Sequence, residues 1–590
     1  MTKPDREYYS RVPSVHRFKQ PSSNCSSSTW TNFVLHPWSQ RKWNGRHHQR
    51  LPLETPSIST CTTATNLSSL GDFQSTTTIY NSRRMNLDKN LRMTTPEIQP
   101  LQDQKDVDQE YTVPELPQPK QSVPFRQIRT QLLTAITVSW VSMIIGYCSA
   151  YTSPASLTLE RDFKLDPSKL SWITSLMPLG ALGGGILGGV LIENLGRKWT
   201  ILLTDLLFFA AFLINYFAQN YIYMYVSRII SGASVGVLSL TLPVYLAETV
   251  QPEVRGTLGL LPTAFGNIGI LLCYLVGAFY EWQSLALVGV VLSIPFVIVF
   301  WVIRETPRFL ISRGKEEETE QALQWLRGSK TNIEKEFHEL KKNFLEECET
   351  EESACESLKV LFSYNNLKLM GIVLGLMAFQ QWSGINAVIF YTTKIFKESG
   401  STLDEKISTT IVGIVNFIST FIAAVLIDKL GRKVLLYISA VSMTISLVVL
   451  GTYFHLKTES HDQTLGFIPL ASFIVYVLGF SLGFGPVPWL MMGEILPAKI
   501  RGPAASVATG FNWTCTFIVT KIFLLLAGSI GFDYTFWIFG LIVFMSLWFT
   551  IFFVPETRGQ SLADIERKLA GLKVRRMSSV ANLKPMPSIC

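Results

Sequence analysis

Apolar residues are not spread evenly along this chain. They gather into stretches of about 20 residues, enough for a helix to cross the roughly 30 Å hydrocarbon core of a bilayer. Twelve such stretches fall near 132–151, 171–192, 199–217, 222–243, 257–279, 284–303, 368–392, 407–427, 434–454, 467–492, 506–527 and 534–554. Polar residues fill the remainder. The pattern predicts an all-α membrane protein with twelve transmembrane helices, six within 128–303 and six within 367–556. The segment 304–366 keeps helical apolar spacing between its charges, in EEETEQALQWL and EKEFHELKKNF, and reads as a linker of short amphipathic helices on a membrane face. Residues 1–127 are rich in Ser, Thr, Asn, Gln and Pro and bury too little apolar surface to offset ordering entropy, so a disordered cytoplasmic tail is expected there, with a second tail over 557–590.

Composition narrows the class further. The chain has 590 residues, 48% hydrophobic and 16% charged, with a mean hydropathy of +0.26. Those values exclude a disordered polyampholyte, a collagen-like chain and a small disulfide scaffold. The net charge of +8 sits mostly in residues 1–50, which carry nine Lys/Arg against two Asp/Glu. A basic segment suits nucleic acid or anionic lipid. No zinc-finger or RNA-binding signature accompanies it, so no nucleic-acid partner is expected. The eight cysteines show no metal or disulfide spacing, and neither a metal nor a cofactor is implied. The start, MTKPDREYYS, lacks an apolar core, so the first membrane helix is expected to act as the targeting signal. The sequons at Asn24 and Asn66 would then be cytoplasmic and unused.

Basic residues in the short loops set the orientation. Arg197, Lys198, Arg255, Lys429, Arg432, Lys433, Lys499 and Arg501 fall on one side if both termini are cytoplasmic, although Arg161, Lys164, Lys169, Lys397 and Lys406 make two outer loops less clean. The chain also repeats itself. VLIENLGRK around Glu193 recurs as VLIDKLGRK around Asp428, AETVQPEVRG around Glu248 as GEILPAKIRG around Glu494, and RETPRFL around Glu305 is echoed by PETRGQSL around Glu556. The same order at nearly one offset predicts two parallel-repeated six-helix halves, an architecture used by carriers that alternate access.

These motifs, with QQWSGIN in the seventh stretch and GPVPW in the tenth, resemble the sugar porter branch of the major facilitator superfamily over about residues 130–570. Within that branch, PVYLAETVQPEVRGTLGLLPTAFGNIGILL, GFGPVPWLMMGEILP and VRRMSSVANLKP are similar to the insect facilitated trehalose transporters. The resemblance implies the major facilitator fold and facilitative, bidirectional uniport of the sugar trehalose across the plasma membrane. A hexose facilitator, a proton-coupled symporter and a non-transporting sugar sensor remain as alternatives. No nucleophile–base motif or phosphate loop points to an enzyme. Oligomeric state is not readable.

A sugar site needs uncharged amides and hydroxyls with flat apolar surface. Gln380, Gln381 and Asn386 supply amides, but Gln380 and Asn386 lie about 240° apart on an ideal helix. An unwound turn at Ser383-Gly384 would aim both at one cavity. A buried amide also serves helix–helix hydrogen bonding. The resemblance adds Asn416, Asn512 with Trp513, and Trp489 beside the helix-breaking Pro486 and Pro488. Thr263 and Ser481 stand where many family members carry Gln and Glu, which leaves room for a second sugar ring. Proton symporters of the family carry Asp after the Gly-Tyr of the first helix; here Gly146-Tyr147 is followed by Cys148. A second constellation, Arg197, Arg255, Arg432 and Arg501 with Glu193, Glu248, Asp428, Glu494, Glu305 and Glu556, is expected to lock the two halves together on the cytoplasmic side when the outer side is open, with Arg228 in the same network. Topology alone would also place such arginines there. Asp205 and Lys521 are ionisable residues inside apolar stretches, functional candidates by default, with no partner legible in the sequence.

Overall fold

The computed structural model describes residues 125–349, 363–460, 466–497 and 500–558. The tail expected over 1–127 falls outside the described residues up to position 124, as do 559–590, Lys499, and the sequons at Asn24 and Asn66. Among the described residues the regular structure is α-helical, and eleven helices are long and apolar enough to cross a membrane. The last of them, Arg501–Phe552, has 52 residues. At 1.5 Å per residue that is ~78 Å, more than twice the hydrocarbon core. It is two helices in series, because Gly531 takes φ 92° and ψ 161°, a conformation that side-chain-bearing residues avoid. The described residues therefore hold twelve span-length arms, and the chain is an all-α membrane protein.

The first half comprises α1 (Phe125–Ala150), α2 (Thr152–Phe163), α3 (Pro167–Leu195), α4 (Arg197–Tyr216), α5 (Tyr221–Thr249), α6 (Pro252–Leu258), α7 (Leu261–Phe279) and α8 (Trp282–Val299). Three helices follow: α9 (Pro307–Ser312), α10 (Glu316–Arg327) and α11 (Glu334–Glu349). The second half comprises α12 (Tyr364–Trp382), α13 (Ile385–Ser399), α14 (Glu405–Leu430), α15 (Arg432–Ser460), α16 (Ile468–Leu482), α17 (Val487–Ile495) and α18 (Arg501–Phe552).

Local chemistry sets the ends and the packing. The Asn220 side chain caps α5 by accepting from Ile222 N, and Asp404 caps α14 by accepting from Lys406 N and Ile407 N, which satisfies donors a helix start leaves open. Helices α3 and α5 meet backbone to backbone. A Cβ at Gly184 would fall on the Ala233 carbonyl, and one at Gly236 on the Ala181 carbonyl. Small residues four apart permit that approach, which drives helix association where lipid removes the hydrophobic contrast. Outward faces carry apolar side chains such as Ile186, 73% exposed, while Ser and Thr hydroxyls are buried and bond to carbonyls of their own helices.

Two of the apolar stretches are each two helices. The seventh breaks at Ser383-Gly384, between α12 and α13, with Gly384 at φ 90°. The tenth breaks over 483–486, between α16 and α17. There Gly483–Gly485 form the interruption, and Pro486 and Pro488 open α17, where a missing N–H costs nothing. The first stretch continues past Ala150 into α2, so Glu160 and Arg161, which the hydropathy pattern leaves in a loop, are helical.

Candidate functional site

The two breaks face each other. At the end of α12, Gln380 Nε2 donates to the carbonyls of Phe484 at 2.8 Å and Gly485 at 2.9 Å, the acceptors that the α16–α17 interruption leaves free. Asn512 on α18 donates to Gln380 Oε1 at 2.9 Å, and Gln381 Nε2 donates to Asn512 Oδ1 at 3.1 Å. Asn386, on the far side of the Gly384 turn, donates to Gln381 Oε1 at 2.5 Å. The turn thus brings Gln380 and Asn386 into one network despite their opposed helical phases. Gln380, Gln381 and Asn512 are buried, and Asn386 is half-buried. Tyr476 OH donates to the Ser383 carbonyl at 2.9 Å and holds the turn. The cluster is uncharged and carries both donors and acceptors, the chemistry that matches sugar hydroxyls.

The other residues expected at the site lie around this cluster. Asn416 on α14 donates to Asn267 Oδ1 on α7 at 3.2 Å, Asn267 donates to Thr420 Oγ1 at 2.6 Å, and Ser481 donates to Asn416 Oδ1 at 3.4 Å. This second polar group bridges the two halves at mid-depth, and Asn267 is its hub. Thr263 stands one turn before Asn267, exposed and without a hydrogen bond among the described residues. Trp489 is 38% exposed, so its ring is free to meet a ligand face, but it makes no polar contact with the amide cluster among the described residues. Trp513 keeps a buried Nε1 with no acceptor among the described residues.

The charged residues pair within each half here, where the side opposite the charged loops is closed; the expected lock belongs to the arrangement in which that side is open. Arg197 pairs with Glu248 at 2.9 Å, and Arg432 with Glu494 at 2.9 Å. Each pair lies within one half, not between them. Glu305 accepts from the backbone N–H groups of Arg197, Lys198 and Thr306, and Glu556 from those of Arg432, Lys433, Thr557 and Arg558. Each carboxylate thereby caps the helix that opens after a glycine, Gly196 at φ 88° or Gly431 at φ 92°. Burial pushes the Glu305 carboxyl above the ordinary range against those donors. At Glu556 burial acts the same way but four backbone donors outweigh it, leaving the group below that range. Arg255 and Arg501 turn back onto the carbonyls of Val250 and Leu496, so both close helix ends, and neither meets a carboxylate among the described residues. Glu193 is exposed and unpaired among the described residues, and the Asp428 side chain lies outside those described.

Arg228 does not join this network. It is buried near the opposite end of α5, where Nη1 donates to the Cys148 carbonyl at 2.9 Å and the guanidinium lies 4.9 Å from the Tyr151 ring centroid. Its Nε and Nη2 have no acceptor among the described residues. Asp205, on α4, is fully buried, with both carboxylate oxygens unpartnered among the described residues.

Among the described residues, the polar contacts that join the halves lie at mid-depth or on the side opposite the charged loops. Glu160 on α2 pairs with Lys394 on α13 at 2.5 Å. Ser153 Oγ lies 3.1 Å from Thr393 Oγ1, and Tyr274 OH donates to the Ile389 carbonyl at 2.8 Å. Lys521 donates to Ser171 Oγ at 2.9 Å and sits 3.9 Å from the Trp172 ring centroid. These residues seal that side. Hydropathy and motif reading missed Glu160 and Lys394, because nothing local marks two loop-edge charges 234 positions apart as partners.

A family model described as "Sugar (and other) transporter" matches residues 132–569. The Facilitated trehalose transporter Tret1 of Polypedilum vanderplanki is 56% identical over 465 residues, 78% of this chain and 92% of that protein. The protein of the same name from Aedes aegypti is also 56% identical over 78% of this chain, and the match spans only 57% of its length. Among solved structures, the inward open xylose transporter XylE from E. coli superposes with a TM-score of 0.64 at 25% identity, over 74% of this chain and 99% of that one. XylE bound to 6-bromo-6-deoxy-D-glucose, a proton:xylose symporter of the major facilitator superfamily, gives a TM-score of 0.60 at 26% identity, over 75% of this chain and 99% of that one.

Proposed function

The chain belongs to the sugar (and other) transporter family and has the major facilitator fold, and from that premise we propose that it carries trehalose by facilitated, bidirectional uniport. The trehalose relatives at 56% identity support the substrate. The observation that carries the mechanism is the uncharged amide cluster of Gln380, Gln381, Asn386 and Asn512, built on two facing helix breaks, with polar contacts joining the halves on the side opposite the charged loops among the described residues. In this reading a sugar arriving from the charged-loop side exchanges hydroxyls for the amide–amide bonds of the cluster, with Trp489 against a ring face and Asn416 and Thr263 bounding the far end. In this reading the termini and charged loops are cytoplasmic, the protein sits in the plasma membrane, and the side closed by Glu160 and Lys394 is the outer one. Residues 1–127, 304–366 and 557–590 are the cytoplasmic parts.

Uniport rather than proton symport is favoured by the surroundings of Arg228. Its neighbour at the coupling position is Cys148, and no carboxylate meets the guanidinium among the described residues. A thiol with a reference pKa of about 8.5 does not replace an acid as proton carrier.

Uptake into proteoliposomes, comparing trehalose with glucose, maltose and sucrose, tests this. Trehalose should equilibrate without accumulating in a pH gradient. Glucose uptake without trehalose uptake would overturn the substrate. Accumulation driven by protons would overturn uniport.

A further inference from the structure

Away from the transport path, a cavity of about 420 Å³ lies where the charged-loop ends of α4 and α8 meet α9 and α10. Its walls include Lys198, Trp301, Arg304, Glu305, Glu318 and Trp325. Lys198 and Arg304 bring two positive charges to one space, and neither makes an ion pair among the described residues. The two carboxylates in the wall are already engaged. Glu305 takes the backbone N–H groups that open α4, and Glu318 pairs with Lys315 at 2.9 Å. The other half provides a comparison. Lys433, the counterpart of Lys198 in the repeat, donates from Nζ to the Ile551 carbonyl at 3.0 Å. Among the described residues Lys198 Nζ makes no hydrogen bond; it lies 4.4 Å from the ring centroid of Phe300 and 6.0 Å from that of Trp301, with Glu305 near enough to act on its charge.

Lys198 and Arg304 repel each other across the cavity, and an anion entering between them relieves that repulsion. The surroundings indicate which anion. Trp301 is 72% exposed and packs edge-on to Trp199, and Ile298 on the last turn of α8 is 68% exposed. Tryptophans at the end of an apolar span mark the membrane–water boundary. The cavity therefore opens onto the lipid-facing surface at headgroup depth, where basic pockets between helices take lipid phosphates.

We propose that this cavity binds the phosphate of an anionic glycerophospholipid, with Lys198 and Arg304 on the headgroup and the acyl chains along α8 past Trp301 and Ile298. Such a lipid ties the ends of α4 and α8 to α9 and α10. The site does not depend on which sugar is carried.

Native mass spectrometry of the purified full chain, supplied with phosphatidylglycerol or phosphatidylcholine, tests the proposal. Phosphatidylglycerol should be retained in preference. The double variant Lys198→Ala with Arg304→Ala should hold it roughly thirtyfold more weakly, from the contribution of two basic residues near a membrane surface. Lys433→Ala should retain it fully. If the double variant does not fold, Arg304→Gln alone, at an exposed side chain, should weaken retention about fivefold. Undiminished retention in these variants, or an equal loss in Lys433→Ala, would overturn the site. Glycerol 3-phosphate and inorganic phosphate should fail to displace the lipid; displacement at millimolar concentration would show a soluble-phosphate site and overturn the lipid assignment.

Discussion

Lys394→Gln removes one partner of the single ion pair that joins the halves among the described residues. The pair is short, 2.5 Å from Nζ to Oε1, and its side chains are 14% and 25% exposed. Fully exposed ion pairs contribute about 0–1 kcal/mol, and buried hydrogen bonds to charged groups about 1.5–3 kcal/mol. At this intermediate burial ~1–2 kcal/mol is reasonable, a factor of about 5–30 in an equilibrium constant. The bond exists only while the Glu160–Lys394 side is closed, so its loss shifts the population towards opening on that side by that factor. The assay is thiol modification of a Ser153→Cys reporter, which is buried against Thr393 in the closed state. The modification rate should rise by the same factor in Lys394→Gln and in Glu160→Gln. The exchanged pair, Glu160→Lys with Lys394→Glu, should restore slow modification. Rates unchanged in both single variants, or no recovery in the exchanged pair, would refute the reasoning.

Three further outcomes follow from the same geometry. Gln380→Ala leaves the Phe484 and Gly485 carbonyls without their donor and should lower both thermal stability and trehalose affinity, the latter by about tenfold or more; Asn386→Ala, half-buried, should weaken uptake with little change in melting temperature, and intact uptake in both would remove the cluster from the site. Arg197→Ala and Arg432→Ala each break a pair confined to one half, so their stability losses, about 1–3 kcal/mol each, should add to within about 0.5 kcal/mol in the double variant; strong non-additivity in denaturant titrations would instead indicate a lock across the halves. Cys148→Asp supplies Arg228 with the carboxylate it lacks and should make trehalose uptake depend on pH where the parent protein does not; identical pH profiles would separate this position from energy coupling.

Much of the architecture was legible because membrane folding is governed by rules that leave local traces. Apolar length marks each span, and the repeat fixes two halves. The break at Ser383-Gly384 could be anticipated because two amides on opposite phases of one helix cannot otherwise share a site. The prolines of the tenth stretch marked the region, and Pro488 lacks the N–H that would have taken the Phe484 carbonyl four residues before it. They open α17, and Gly483–Gly485 make the interruption.

Residue type and spacing determined which side chains were candidates: uncharged amides near helix breaks, and carboxylates and arginines at the span ends. Only the tertiary structure decided what those groups bond to. Asn512 donates to Gln380 across 132 positions. The arginine pairs, identical in the two motifs, close within each half, and the ion pair across the halves among the described residues is made by Glu160 and Lys394. A motif fixes neighbours within a turn or two of helix. Which distant partner a charge finds depends on the relative placement of whole helices, and that is set by packing surfaces such as the α3–α5 glycine contact, far from the charges themselves.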